Sequence, residues 1–217
     1  ENKSGAYAEV TDFGAILVKV CVPDKDGTLT DVVLGYDDLA SYEVNGCFFG
    51  STIGRNGNRI GGAKFSVNGK EVVLAQNEND NNLHSGPDGF EKKLWKVAEI
   101  SDDKNSVIFN RISPDGENGF PGNVTATAKY TVKSDNTLDI EFGATTDKET
   151  VVNMTNHSYF NLNGDPSKEG FNQVMYINAD KFTPADSLYI PTGEIKSVEG
   201  TPMDFRKPHA IAETIRD

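Results

Sequence analysis

Short runs of β-forming residues separated by turn residues are the feature that most constrains the fold of this chain. In KFSVNGKEVVL (residues 64–74), apolar and polar residues alternate on both sides of Asn68-Gly69, a dipeptide that favours a type I′ hairpin turn. The same order of strand, turn and strand is predicted in three further places. They are residues 15–36, LWKVAEI with SVIFNRI, and ATAKYTVK with TLDIEFGAT.

Helical signals are scarce by comparison. DDLASY is long enough for one turn, and KPHAIAETIRD (residues 207–217) predicts only a marginal helix because it contains Pro208. No internal repeat, low-complexity tract or long polar linker divides the 217 residues, and all-β sandwiches of this size commonly form one domain. We therefore expect a single antiparallel, all-β domain spanning residues 1–217.

Charge and hydropathy narrow the range of partners. The formal net charge of −12, without any Lys/Arg-rich run, disfavours nucleic acid and anionic membrane surfaces. No apolar stretch approaches the roughly 18 residues that a membrane span needs, and the N-terminus shows no signal-peptide pattern. We expect a cytoplasmic protein; because the sequence opens at Glu1 rather than Met, a secreted or periplasmic protein whose leader has been removed is the alternative.

The cysteines and histidines do not predict a metal site. Cys21 and Cys47 lie far apart in apolar surroundings without CxxC spacing, which predicts buried thiols in a reducing compartment rather than a disulfide or zinc site. No HxH or HExxH pair is present, and no loop has the spacing of a calcium-binding EF-hand. The cysteines and histidines therefore do not predict a metal site.

Three polar segments are candidates for chemistry. In GSTIGRNGNRIGG (residues 50–62), five glycines surround two asparagines and two arginines. A phosphate loop is excluded because no Lys-Ser/Thr follows the glycines and GxGxxG spacing is absent. Two interpretations stay open: a loop that brings Asn58 and Arg59 to a ligand, or a tight bend whose arginines face solvent.

The other two segments each contain a histidine. His84 lies in NENDNNLHSGPDGFEKKLW (residues 77–95), where amides, imidazole and aromatic rings suit a polyol, although a surface loop bonded to its own backbone is the alternative. VVNMTNHSYFNLNG (residues 151–164) begins like a buried strand and then presents His157 between hydrogen-bonding neighbours. His157 is either a hydrogen-bonded core residue or a proton donor, and the flanking asparagines would orient its ring. His209 is predicted to lie on the surface.

Taken in order, four segments resemble the aldose 1-epimerase (galactose mutarotase) family. TIGRNGNRI is similar to the family's GRxANRI, NNLHSGPDGF to N-x-LHGG-x-x-GF, TNHSYFNLNG to NHSYFNL, and YIPTGEIKSVEGTPMDFR to IPTGE…GTPFDFR. The resemblance covers essentially the whole chain. It implies a large antiparallel β-sandwich of the galactose-mutarotase type, a sugar cleft, no metal and no organic cofactor.

The resemblance also implies roles for single residues and a reaction, the interconversion of α and β anomers of hexoses such as galactose or glucose. That reaction removes the proton from the C1 hydroxyl and protonates the ring oxygen, and an imidazole with a pKa near about 6.5 can supply this proton. Position by position, the matching residues are Asn58, Arg59 and His84 for sugar binding, His157 for the catalytic acid, and Ser158 and Tyr159 for binding beside it.

The chain departs from the family pattern in its length and at two positions. The family's catalytic glutamate and a binding aspartate would fall beyond Asp217, and Glu194 of PTGE matches a different position. Either a C-terminal segment or second chain completes the fold, or a shortened relative binds carbohydrate without catalysis. A glycoside hydrolase is disfavoured, since no carboxylate pair stands out. Ser85 replaces a glycine, so its loop must avoid or tolerate a positive φ, and Gly57 in place of alanine loosens the bend.

Overall fold

The computed structural model describes residues 1–215, and these divide into two compact units, Glu1–Gly164 and Asp165 onward. The prediction of a single domain over residues 1–217 stays a prediction.

In the first unit the elements are β1 Tyr7–Thr11, β2 Ile16–Pro23, β3 Leu29–Asp31, α1 Leu39–Val44, β4 Thr52–Ile53, β5 Arg59–Ile60, β6 Lys64–Val67, β7 Lys70–Val73, β8 Asn82–Leu83, β9 Lys96–Ile100, β10 Ser106–Ser113, β11 Val124–Val132, β12 Leu138–Thr146 and β13 Thr155–Asn156.

The predicted hairpins form because their turns are encoded locally. Strands β6 and β7 pair antiparallel around Asn68 and Gly69, whose φ values of 50° and 72° have the positive sign that a type I′ turn requires. Strands β2 and β3 pair across a turn in which the Asp24 side chain accepts hydrogen bonds from two backbone N–H groups. The β9–β10 and β11–β12 pairings also match the predicted partners.

Two sheets face each other around the main core of the first unit. One sheet has the order β1-β2-β3, and the other has the order β12-β11-β10-β9. Strand β11 shows the alternation expected of a sheet with one buried face, since every second side chain from Val124 to Tyr130 is buried. This confirms the predicted antiparallel β-sandwich. The buried core residues are Ala15, Leu17, Val20, Val32, Val33, Phe90, Trp95, Phe109, Val124, Ala126, Ala128 and Tyr130.

The second unit consists of short elements. They are β14 Val174–Met175, β15 Lys181–Phe182, β16 Lys196–Ser197, β17 His209–Ala210 and α2 Ala212–Ile215, with β14 paired to β17 and β15 to β16. The marginal helix predicted in residues 207–217 is therefore one turn, α2, and the last two residues of that prediction lie outside the described residues. His209, predicted on the surface, is half-buried because its ring stacks on Phe205 at a centroid distance of 4.5 Å.

Two expectations about burial were wrong. Cys21 is buried as predicted, but Cys47 is exposed because it lies at the tip of a turn that interrupts the apolar run. Residues 151–156 do not form a buried strand: only Thr155 and Asn156 enter a ladder, with β4, and Val152 is 40% exposed. Asn153 adds an isolated bridge to Asn56, and its backbone bonds to Arg55 and Gly57 instead of continuing the ladder.

No helix within residues 1–215 is both long and apolar enough to cross a membrane.

Alanine substitutions at Gly27 and Gly50 should separate the cost of backbone strain from the cost of a steric clash. Gly50 has φ +64°, and a Cβ there would lie 2.0 Å from the Leu17 carbonyl oxygen, whereas Gly27 has φ +83° with open space around it. Gly27→Ala should lower the free energy of unfolding by about 1–2 kcal/mol through backbone strain. Gly50→Ala should cost about 1–3 kcal/mol more because the backbone must also move. Urea denaturation of both variants measures the difference, and equal costs would contradict the proposed clash.

Candidate active site

The main candidate site is an open cleft of about 900 Å³ in the first unit. Four short segments line it: residues 46–48, 57–59, 83–84 and 153–159. These segments are distant in sequence and meet through the β4–β13 and β5–β8 pairings. All six residues that the sequence singled out lie along this cleft: Asn58, Arg59, His84, His157, Ser158 and Tyr159.

Arg55 holds the bend that leads into the cleft. Its side chain is only 2% exposed, and its guanidinium donates to the Ser113 hydroxyl and to four backbone carbonyls at 2.8–3.0 Å. Burial lowers the pKa of this guanidinium, with nearby Glu117 acting in the opposite direction. The interpretation that the arginines of residues 50–62 face solvent is therefore wrong, because Arg55 is buried and donates to the carbonyls of residues 113, 114, 121 and 122.

Asn58 and His84 are joined by a reciprocal pair of hydrogen bonds. The backbone N–H of Asn58 donates to Nδ1 of His84 at 2.9 Å, and the backbone N–H of His84 donates to the carbonyl of Asn58 at 2.9 Å. Both residues have left-handed backbone, with φ of 62° and 54°. Since Nδ1 accepts a hydrogen bond, the neutral ring must carry its proton on Nε2.

The electrostatic surroundings keep His84 neutral. Its residue is 8% exposed, and burial, followed by the positive charges of His157 and Arg59, lowers its pKa from 6.5 to about 4. Each of these effects disfavours the imidazolium form. Near neutral pH, His84 is thus a hydrogen-bond donor through Nε2 rather than a source of protons.

The loop tolerates Ser85 where the family has glycine. Ser85 has φ 59°, so the positive-φ conformation is kept with a side chain present. Its hydroxyl accepts from the Asn56 N–H at 2.8 Å and donates to the Asn56 carbonyl at 3.1 Å. These two bonds offset the backbone strain and tie the His84 loop to the bend of residues 54–58.

His157 is presented to the cleft from the end of β13. Its backbone N–H donates to the Ser51 carbonyl at 2.9 Å, and its half-buried ring lies 5.1 Å from the His84 ring and 5.2 Å from the Tyr159 ring. The flanking asparagines were predicted to orient the His157 ring, but the side chain of Asn156 bonds to backbone groups instead. That amide donates to the Gly50 carbonyl at 2.9 Å and accepts from the Ser158 N–H at 3.0 Å, so it fixes the backbone around His157.

Sequence reasoning missed Phe48, which contacts both imidazoles. Its ring lies 4.8 Å from the His84 ring and 5.6 Å from the His157 ring. Phe48 has φ 58° in a turn that the Asn45 side chain holds, accepting from the Phe49 N–H at 2.8 Å and donating to the Ser51 hydroxyl at 3.1 Å. The aromatic pair Phe48-Phe49, which follows the turn residues Asn45-Gly46 after one cysteine, was the available signal.

Arg59 is held by a second residue that the sequence did not single out, Glu78. Nε of Arg59 donates to Glu78 Oε2 at 2.6 Å, Nη2 donates to Oε1, and Nη1 donates to Asn58 Oδ1 at 3.2 Å. The hydrogen bonds from Arg59 lower the pKa of Glu78 and keep it ionised. Nothing in an acid-rich loop marks which carboxylate will reach an arginine 19 residues away, so this pairing needed the tertiary structure.

Among residues 1–215, no group of three or more His, Cys, Asp or Glu side chains is placed to hold a metal ion.

The fold and the cleft together define a galactose mutarotase-like β-sandwich protein. The family model for aldose 1-epimerase matches residues 1–217, and the chain belongs to that family. It is 41% identical over 209 residues to a galactose mutarotase from Bos taurus and 39% identical over 211 residues to an aldose 1-epimerase from Escherichia coli. These matches cover 96% and 97% of this chain, but the chain spans only 60% of the length of either relative.

Solved structures give the same result. An aldose epimerase homologue from C. elegans superimposes with a TM-score of 0.93 at 34% identity, covering all of this chain and 66% of that one. A galactose 1-epimerase from Lactobacillus acidophilus superimposes with a TM-score of 0.88 at 30% identity, covering 63% of its own chain.

The pKa of His84 should make the protein less stable in acid. Because the folded-state pKa of about 4 lies below that of the unfolded chain, about 6.5, the unfolded state binds more protons between these values. The urea midpoint should therefore fall as the pH drops from 6.5 to 4, and His84→Gln should flatten this dependence. Ring nitrogen NMR at pH 6 should show a neutral imidazole protonated on Nε2; titration of His84 near pH 6.5 in the folded protein would contradict this.

Glu91 should have the opposite effect on the pH dependence. It is 5% exposed, and burial raises its pKa from 4.5 to about 6, so the folded state binds more protons between these values. Its contribution to stability is complete below pH 4.5 and is lost as the pH rises through 6. Glu91→Gln should therefore steepen the acid loss that His84 causes. Urea midpoints measured between pH 4 and 7.5 should show that, relative to the parent protein, the loss of stability in acid is smaller in His84→Gln and larger in Glu91→Gln.

Proposed function

We propose that this chain carries the sugar-binding residues and the acid of an aldose 1-epimerase acting on hexoses such as galactose or glucose. The observation that carries the proposal is the meeting of His84 and His157, ring centroids 5.1 Å apart, with Asn58 and Arg59 in one open cleft. Membership of the family and relatives called galactose mutarotase and aldose 1-epimerase support it.

The reaction needs a base at the C1 hydroxyl and an acid at the ring oxygen. A base removes the proton from the C1 hydroxyl while an acid protonates the ring oxygen, and the bond between C1 and the ring oxygen breaks. Rotation about C1–C2 turns the other face of the aldehyde toward the ring oxygen. The reverse proton transfers then close the ring as the other anomer.

His157 is proposed as the acid, and the state of His84 supports this division of roles. Two neighbouring imidazoles rarely carry charge together, since like charges disfavour each other. His84 is fixed as the neutral member by burial and by its bond from the Asn58 N–H. The proton-donor role is thus left to His157, while Nε2–H of His84 offers a hydrogen bond to a sugar oxygen.

The remaining residues are proposed to bind and orient the sugar. Arg59 and Asn58 supply N–H donors that stabilise negative charge as it moves toward the ring oxygen. Tyr159, whose side chain is exposed, and Phe48 offer ring surfaces to the C–H face of a pyranose. Ser158 follows His157 directly and supplies a hydroxyl at the same end of the cleft.

The base is proposed to come from polypeptide outside this sequence, either a C-terminal segment or a second chain. Glu194 lies in the second unit, where its backbone N–H donates to the Thr192 hydroxyl at 3.3 Å, and the proposal gives it no role in catalysis. A cytoplasmic location is proposed with this function. It is compatible with an unpaired, exposed thiol at Cys47.

Histidine substitutions should separate chemistry from binding. In the complete polypeptide that the gene encodes, His157→Gln should lower kcat about 10²–10⁴-fold, the usual contribution of general acid catalysis. His84→Gln keeps a hydrogen-bond donor and should act mainly on KM. Polarimetry of freshly dissolved α-galactose measures both.

The outcomes discriminate between the two candidate functions. Equal kcat for His157→Gln and the parent protein would exclude His157 as the acid. A protein that binds galactose by calorimetry but never accelerates mutarotation would instead be a non-catalytic carbohydrate-binding protein.

A further inference from the structure

Glu78 lies behind the cleft and reaches it only through Arg59. The residues lining the cleft include Arg59 but not Glu78. The side chains of the pair are 18% and 28% exposed respectively, so the ion pair is partly withdrawn from water. Such a pair is screened less by salt than an ion pair on the open surface.

The contacts of Arg59 fix the plane of its guanidinium. Glu78 engages the edge formed by Nε and Nη2, and Asn58 Oδ1 accepts from Nη1. Glu78 is itself held, because it pairs with Asn81 through two backbone hydrogen bonds of 3.3 Å and 2.9 Å. Bidentate contacts of this kind set orientation as well as energy.

The charges of Arg59 and Glu78 matter because the other residues of the cleft carry little charge. Among the described residues that line it, Arg59 is the side chain with a permanent charge. Burial keeps His84 neutral by lowering its pKa, and the charges of Arg59 and Glu78 act on that pKa in opposite directions. A carboxylate directly on Arg59 therefore cancels most of the positive potential that an anionic ligand would meet.

We infer that Glu78 is a positioning residue that acts through Arg59: it orients the guanidinium toward an uncharged sugar and removes the charge that would attract an anionic one. The inference rests on the proposed sugar site. It makes Glu78 a determinant of specificity for neutral over acidic sugars, although no atom of Glu78 needs to touch the ligand.

Glu78→Gln is the informative variant because it removes the charge and keeps the shape. Glu71→Gln is the matched control, since Glu71 pairs with Lys64 at 3.2 Å on the exposed β6–β7 hairpin. Calorimetry with galactose and galacturonate compares a neutral and an anionic sugar of the same shape. The preference for galactose should fall on the order of tenfold in Glu78→Gln, the effect of one unit charge at about 10 Å and an effective dielectric constant near 20. Glu71→Gln should leave it unchanged.

A double-mutant cycle tests whether Glu78 acts through Arg59. Loss of the orienting contact should weaken galactose binding in Glu78→Gln, whereas in an Arg59→Met background, where no guanidinium is left to orient, Glu78→Gln should change the affinity for galactose less than about twofold. An equal change of galactose affinity in both backgrounds, or an unchanged preference in Glu78→Gln alone, overturns the inference.

A readout without sugar keeps the inference distinct from the proposed function. The Nε–H signal of Arg59 should be protected from exchange in the parent protein and in Glu71→Gln, and less protected in Glu78→Gln, whose uncharged amide has one acceptor oxygen in place of two. Failure of the parent protein to bind galactose would overturn the proposed function. An Nε–H signal that is equally protected in Glu78→Gln would overturn the positioning role of Glu78 whether or not sugar binds.

Discussion

The reciprocal hydrogen bonds between Asn58 and His84 are the constraint on which the rest of the cleft depends. They can form only because both residues adopt left-handed backbone, which brings each N–H to face the other residue. Nδ1 of His84 is consumed in this contact, so the tautomer is fixed by the fold. Because the loop buries the ring at the same time, its protonation state is fixed as well. One local geometry thus decides what His84 can do.

This geometry is supported by contacts between backbones and buried side chains. Arg55 anchors the bend to both ends of the connection between β10 and β11, and the Ser85 hydroxyl links the bend to the histidine loop through Asn56. The third segment is attached in the same way, since the Asn153 N–H donates to the Arg55 carbonyl and the His157 N–H donates to the Ser51 carbonyl. The segments that line the cleft are therefore held mainly by backbone groups and by the buried side chains of Arg55 and Ser85.

The part of this structure that the sequence predicts is the part encoded by near neighbours. The Asn68-Gly69 turn and the alternation in β11 need only a few adjacent residues, and both appear as expected. The two histidines of the cleft were singled out by their polar neighbours and the family motifs. Arg55 was misjudged because burial of an arginine depends on carbonyls supplied by residues 113–122, about 60 positions away.

Residues that act through tertiary contacts left no local signal. Glu78 is one acid among several in its loop, and its partner is visible only when β5 and β8 pair. Cys47 lies in an apolar run but is exposed because the turn around Asn45 turns it outward. Segment 151–156 is rich in apolar residues, yet it pairs with only two residues of β4. In each case the deciding partner is set by topology rather than by composition.

The charges in and around the cleft disfavour an anionic ligand. The chain carries a net charge of −12, so an anion approaching it is repelled before it reaches any site. Within the cleft, the permanent cation is covered by a carboxylate and one imidazole is held neutral. What is left to recognise a ligand is a set of amides, hydroxyls, ring faces and N–H donors, which suits a ligand rich in hydroxyl groups and without charge.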